Sequence, residues 1–65
     1  PAPVVPDEIL ATVVAIYAFT PSNRDELALS TGDRVDVFMY HDDGWALGRV
    51  VRTNAVGLLP RNYVE

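Results

Sequence analysis

Turn-forming residues interrupt this chain so often that no stretch between them suits a packed amphipathic helix. Pro21-Ser22-Asn23, Ser30-Thr31-Gly32-Asp33, His41-Asp42-Asp43-Gly44 and Arg52-Thr53-Asn54-Ala55 are four such punctuations, each rich in the residues that favour tight turns. The segments they bound, 12–17, 34–40, 45–51 and 56–59, are short and rich in β-branched and aromatic side chains, which argues strands. Alternation places Val13 and Ala15 on one face of the first segment, with Thr12, Val14 and Ile16 on the other. In the second, Val35 and Val37 oppose Arg34, Asp36 and Phe38. Ile9-Leu10-Ala11 is either a first short strand or the approach to one. Five or so short strands with regular turn signals predict a small, partly open all-β barrel.

Within that pattern two glycine or asparagine positions carry specific meaning. Gly48 inside a strand predicts close approach from a neighbour. Asn54 is the residue of its turn best able to take a positive φ. Between 20 and 32 the chain reads as a long irregular hairpin, with Leu27 and Leu29 plugging the core and Asp25-Glu26 at the tip. Pro60-Arg61-Asn62-Tyr63 suits one turn of 3₁₀ helix, and Val64-Glu65 a strand remnant.

A chain of 65 residues makes one domain that buries only about 60% of its unfolded surface. With no cysteine and one histidine, His41, neither a disulfide framework nor a thiolate metal site is available. No metal or other cofactor is expected, and catalysis, limited to carboxylates with no visible partner, is not either. The formal charge is −4, lysine is absent and the five arginines are dispersed; this disfavours nucleic acid and favours a positively charged partner. No apolar run is long enough to insert in a membrane, so a soluble cytoplasmic domain, monomeric in isolation, is the expectation. The first residue is proline rather than methionine, as in a piece of a longer protein. Pro1-Ala2-Pro3-Val4-Val5-Pro6 favours an extended polyproline II linker, placing a linker at 1–9 and the domain at 10–65. Its Pro-x-x-Pro spacing also matches a ligand for an aromatic groove, although no Arg or Lys flanks it.

The aromatic residues point to a site. Tyr17 and Phe19 are two apart and share a face if the extended conformation persists through Phe19. Trp45 directly follows a polar turn, a poor position for burial. Tyr17, Phe19, Trp45 and Tyr63, scattered in sequence but able to converge in a compact barrel, are expected to form one exposed binding floor. The Asp-Gly step at 43–44 is equally explained by turn geometry, and His41 and Arg61 read as solvated.

Ala15-Ile16-Tyr17-Ala18-Phe19, Asp25-Glu26-Leu27-Ala28-Leu29, Gly32-Asp33, Asp43-Gly44-Trp45 and Gly57-Leu58-Leu59-Pro60-Arg61-Asn62-Tyr63-Val64 resemble, in order and spacing, the signature elements of an SH3 domain. The resemblance covers about residues 12–65. It implies five strands in two orthogonal sheets, with an RT loop at 18–33, an n-Src loop at 41–44 and a distal turn at 52–55. The implied core is Val13, Ala15, Leu27, Leu29, Val35, Val37, Gly48, Val50, Leu59 and Val64. It further implies a module for proline-rich polyproline II segments. Tyr17, Phe19 and Tyr63 would wall one groove, with Trp45 and Pro60 completing the next; Asn62, Tyr63 and Trp45 would donate hydrogen bonds; and Asp25, Glu26, Asp42 and Asp43 would meet a ligand Arg or Lys. Ala18, Phe19, Ala46 and Leu58 depart from frequent family residues. Leu58 stands where an aromatic often lines the compartment for the basic residue, which shifts preference toward Lys, a looser consensus or a contact outside the groove; Phe38 and Tyr40, if exposed, would supply one. The alternative function is a scaffold or autoinhibitory module that binds a folded surface or its own linker.

Overall fold

A computed structural model describes residues 8–65, and the proline-rich reading of 1–6 lies outside the described residues. Four strands, β1 (Ala11–Val14), β2 (Arg34–Tyr40), β3 (Trp45–Val50) and β4 (Ala55–Pro60), are followed by a 3₁₀ turn at Arg61–Tyr63. They form one antiparallel sheet in the order β1-β2-β3-β4, the all-β architecture the resemblance implies. Among the described residues no helix is long and apolar enough to cross a membrane.

The expected fifth strand is reduced to a bridge between Ala15 and Val64. Around it, Val14 and Glu65 exchange backbone hydrogen bonds of 3.1 and 2.9 Å, and the Ile16 N–H donates to the Tyr63 carbonyl at 2.8 Å. The chain thus leaves β2 after Val14 and pairs with the C-terminal segment, closing the meander into a partly open barrel. This is why β1 ends at Val14 and does not run to Tyr17. Ala15 sits at the crossing: its N–H donates to Asp33 and its carbonyl accepts from Gly32, both at 2.8 Å. A methyl side chain admits such close traffic.

The core is Ala15, Leu27, Leu29, Val35, Val37, Ala46, Val50 and Leu59, with Val13, Phe19, Tyr63 and Val64 packed against it. Gly48 lies beside this core, as expected. A Cβ there would stand 2.9 Å from the Asp36 carbonyl oxygen and 2.9 Å from Leu59 Cδ2, so its missing side chain lets β2 and β3 approach. Ala46 is wholly buried and faces inward, not toward a ligand.

Alternation breaks in β2. The register shifts between Val37 and Met39, a bulge that leaves Phe38 as the extra residue. Phe38 is therefore buried under the Arg49 guanidinium, 5.5 Å from the ring centroid, and cannot serve as an outer contact. Tyr40 does reach the surface, but Arg61 covers its ring at 4.6 Å. Arg61 is thus stacked on an aromatic face and not merely solvated.

Two carboxylates brace the frame. Asp33 accepts from the Ser30 N–H at 2.9 Å and from Arg52 Nε and Nη2 at 3.1 and 3.3 Å, joining the end of the long loop to the distal turn. Asp36 accepts from Thr12 Oγ1 at 3.1 Å and Arg49 Nη2 at 2.9 Å, tying β1, β2 and β3 together. The hydrogen bonds from Arg52 and Arg49 hold the two carboxyls below their usual range. The distal turn occupies Val51 to Asn54, one residue earlier than expected, with Asn54 at φ 63°.

Candidate functional site

The four aromatic side chains converge as a continuous row. Tyr17 meets Tyr63 edge-on with ring centroids 5.5 Å apart, Tyr63 meets Phe19 at 5.7 Å, and Phe19 meets Trp45 at 5.8 Å. Edge-to-face contacts of this kind fix ring orientation. The same-face argument for Tyr17 and Phe19 rests on an extension that is absent, because the chain bends at Ile16 and Tyr17. Tyr63 fills the space between them instead. Phe19 and Tyr63 also pack on the core, whereas Tyr17 is 58% exposed.

Three of the four rings, Phe19, Trp45 and Tyr63, are held by identifiable devices. The Phe19 N–H and carbonyl exchange 3.0 Å hydrogen bonds with Leu29, closing the base of the long loop. Trp45 begins β3 opposite Pro60, and its backbone N–H donates to Asp43 Oδ1 at 3.2 Å. Gly44, at φ 90°, makes the turn before it. The Arg61 N–H donates to the Gly44 carbonyl at 2.8 Å, so the 3₁₀ turn carrying Asn62 and Tyr63 is pinned to the loop that presents Trp45. Asn62 is exposed on that turn, and Pro60 caps its start in an extended conformation.

Beyond Trp45 the row opens into a groove of about 260 Å³ lined by Glu26, His41, Asp43, Trp45 and Leu58. The long loop reaches it because Leu27 N–H donates to the Leu58 carbonyl at 2.6 Å and Leu58 N–H to the Asp25 carbonyl at 2.7 Å, so the loop lies along β4. Glu26 organises the tip. Its Oε1 accepts from the Ser22 and Asn23 N–H groups at 2.8 and 3.2 Å, and its Oε2 from Asn23 Nδ2 at 3.0 Å. The Asn23 side-chain bond and the Ser22 backbone bond hold its pKa below the usual range, so Glu26 stays anionic. Oε2, which accepts only one hydrogen bond, still has acceptor capacity for a cation in the groove.

The acidic residues separate in space. Glu26 and Asp43 share the first groove, while Asp25 lines a second, of about 560 Å³, with Arg24, His41, Leu47, Val56, Gly57 and Leu58. Asp42 is exposed on its turn and lines neither. Because Asp33 and Asp36 are already paired with Arg52 and Arg49, negative field over the grooves comes from Asp25, Glu26, Asp42 and Asp43. His41 is half-buried and borders both grooves, contrary to its reading as a solvated turn residue. Nothing in its local sequence signals this, since the neighbours it meets come from other turns and strands. Among the described residues no group of three or more His, Cys, Asp or Glu is placed to hold a metal.

Residues 15–65 match the family model described as a variant SH3 domain. Mouse vinexin is 52% identical over 50 residues, 77% of this chain and 7% of vinexin. Rat sorbin and SH3 domain-containing protein 2 is 49% identical over 51 residues, 78% of this chain and 4% of that protein. The chain therefore spans under a tenth of these relatives. Among solved structures, the SH3 domain of yeast NBP2 aligns with a TM-score of 0.78 at 35% identity, covering 83% of this chain and 92% of that one. The C-terminal SH3 domain of Entamoeba histolytica myosin IB, crystallised with the EhFP10(GEF) peptide, aligns at 0.75 with 31% identity, covering 83% and 86%. With its barrel closure, ring row and family match in agreement, the chain belongs to the SH3 family.

Proposed function

We propose that this chain is an interaction module for proline-rich segments in the polyproline II conformation that carry an Arg or Lys, acting as a cytosolic monomer within a larger signalling, adaptor or cytoskeletal protein. The observation that supports this most is the unbroken row Tyr17–Tyr63–Phe19–Trp45 ending at the Glu26–Asp43 groove. A polyproline II segment is already extended and has no internal hydrogen bonds, so it loses little entropy on docking. Its prolines would enter the spaces between rings, with Pro60 beside Trp45. The Trp45 indole N–H, the Tyr63 hydroxyl and Asn62 would donate to its carbonyls. Glu26 and Asp43, with Asp25 and Asp42 at longer range, would attract its cation, and Leu58 would pack along the cation's alkyl stem.

The role is read as recognition because the exposed groups of the site offer hydrogen bonds, ring faces and charge. Dispersed arginines and an acidic groove speak against nucleic acid. Residues 10–65 would constitute the module and 1–9 its linker. A shallow groove of this size predicts affinity on the order of micromolar.

Selection from a random-peptide library tests the reading, run in parallel on the folded chain and on folded Trp45→Lys. A Pro-x-x-Pro consensus with a basic residue at a fixed offset, lost in the variant, is the expected result. Selection of ligands indifferent to Trp45→Lys would overturn it in favour of docking through another face.

A further inference from the structure

We propose that the ligand is longer than a proline core plus one cation, and that the groove beside the acidic one takes an aliphatic side chain lying beyond the ligand's basic residue. This rests on the peptide-binding reading above and names an additional subsite of it.

The second groove, at about 560 Å³, is roughly twice the size of the acidic one at about 260 Å³. Leu47 and Val56 form its interior, and neither borders the acidic groove. Both residues are half-buried on neighbouring strands, Leu47 paired with Leu58 and Val56 with Arg49, so they stand diagonally across the β3–β4 ladder. Gly57 is covered by the loop backbone packed directly on it, so the apolar side chains lining the groove are Leu47, Val56 and Leu58. Arg24 and Asp25 stand at the rim with opposite charges, so the groove as a whole offers an aliphatic interior and no strong preference for a charged occupant.

Continuity identifies the occupant. Leu58 and His41 are walls of both grooves, so a chain leaving the Glu26–Asp43 groove has only to cross Leu58 to enter the second. A leucine at 58 makes a lower ridge than an aromatic ring would, and it offers the crossing segment an apolar surface. The carboxylates on the near side retain the basic residue, while Leu47 and Val56 on the far side exclude it by desolvation. An aliphatic residue is what the second groove buries at least cost.

The test titrates the 65-residue chain calorimetrically with synthetic Pro-x-x-Pro peptides bearing an Arg at either end, each with and without a Leu two residues beyond the Arg. The Leu extension is expected to tighten binding about tenfold for the orientation that docks, as partial burial of one aliphatic side chain allows. Leu47→Gln/Val56→Thr, confirmed folded by circular dichroism, should erase that gain and leave the unextended peptide's affinity unchanged. If the unextended peptide binds and the extension adds nothing, or if the double variant keeps the gain, the subsite is wrong and the peptide groove stands. If no unextended peptide binds, the proline-groove reading fails and the subsite with it.

Discussion

Gly57 lies directly against the carbonyl of Asp25: a Cβ at position 57 would stand 2.9 Å from that oxygen and 3.2 Å from the Leu27 nitrogen. Both atoms are backbone, so neither can swing aside. The bare glycine is what allows the long loop to lie on β4 and present Glu26 to the groove.

Gly57→Ala should therefore destabilise the fold by about 1–3 kcal/mol, the usual cost of overpacking a well-fitted site. It should also loosen the loop. Urea unfolding reads the first effect, and hydrogen exchange of the Leu27 and Leu58 amides reads the second. Unchanged protection of both amides would contradict the role assigned to Gly57.

Asp33 and Asp36 make stability depend on pH in a defined direction. Both carboxyls are held below their usual range, Asp33 first by its hydrogen bond from Arg52 and Asp36 first by that from Arg49. A depressed folded pKa adds stability that is fully present above the unfolded value, about 3.9, and disappears as pH falls through the lower folded value. Urea midpoints should hold above about pH 5 and decline below about pH 4. Asp33→Asn should be less stable at neutral pH and show a shallower acid decline; a decline as steep as that of the parent would remove Asp33 from the account.

Phe38 separates the bulged strand from the alternating one. Buried under Arg49, its truncation to alanine should cost about 3 kcal/mol, as for other buried aromatics, with little effect on ligand affinity in the folded fraction. An exposed Phe38 would show the reverse, near-neutral stability and weakened binding. Thermal or urea unfolding beside a titration distinguishes the two.

The same residues mark how far local chemistry reaches. Gly48, Asn54, the inward Leu27 and Leu29 and the span of β2 are legible in the sequence, because each is dictated by spacing or by a permitted φ. Phe38 escapes such a reading because a bulge inserts one residue without altering the hydrophobic pattern on either side. The end of β1 at Val14 depends on hydrogen bonds to Tyr63 and Glu65, about fifty residues away along the chain, and no local propensity reports them. His41, Arg24, Leu47 and Val56 meet only after folding, so the second groove has no sequence signature. Gly57, a strand glycine like Gly48, reports the close approach of the loop and not the groove.

Neutralising the groove should weaken binding in a salt-dependent manner. Asp25→Asn/Glu26→Gln is expected to lower affinity for an Arg-bearing ligand more at low ionic strength than at high, since exposed charges are screened over about 10 Å at 0.1 M salt. Part of the loss will persist at high salt, because Glu26 also holds the Ser22 and Asn23 N–H groups. An equal loss at both salt concentrations would assign Glu26 a purely structural part.

The central claim is that the ring row and the acidic groove form one peptide site, and chemical-shift mapping of the labelled chain tests it most directly. Titration with an Arg-bearing Pro-x-x-Pro peptide should move the Trp45 indole signal together with Tyr17, Phe19, Tyr63 and Glu26, with a dissociation constant on the order of micromolar. Folded Trp45→Lys should bind at least about tenfold more weakly. Shifts confined to the outer faces of β1 and β2, with the Trp45 indole unmoved, would contradict the account.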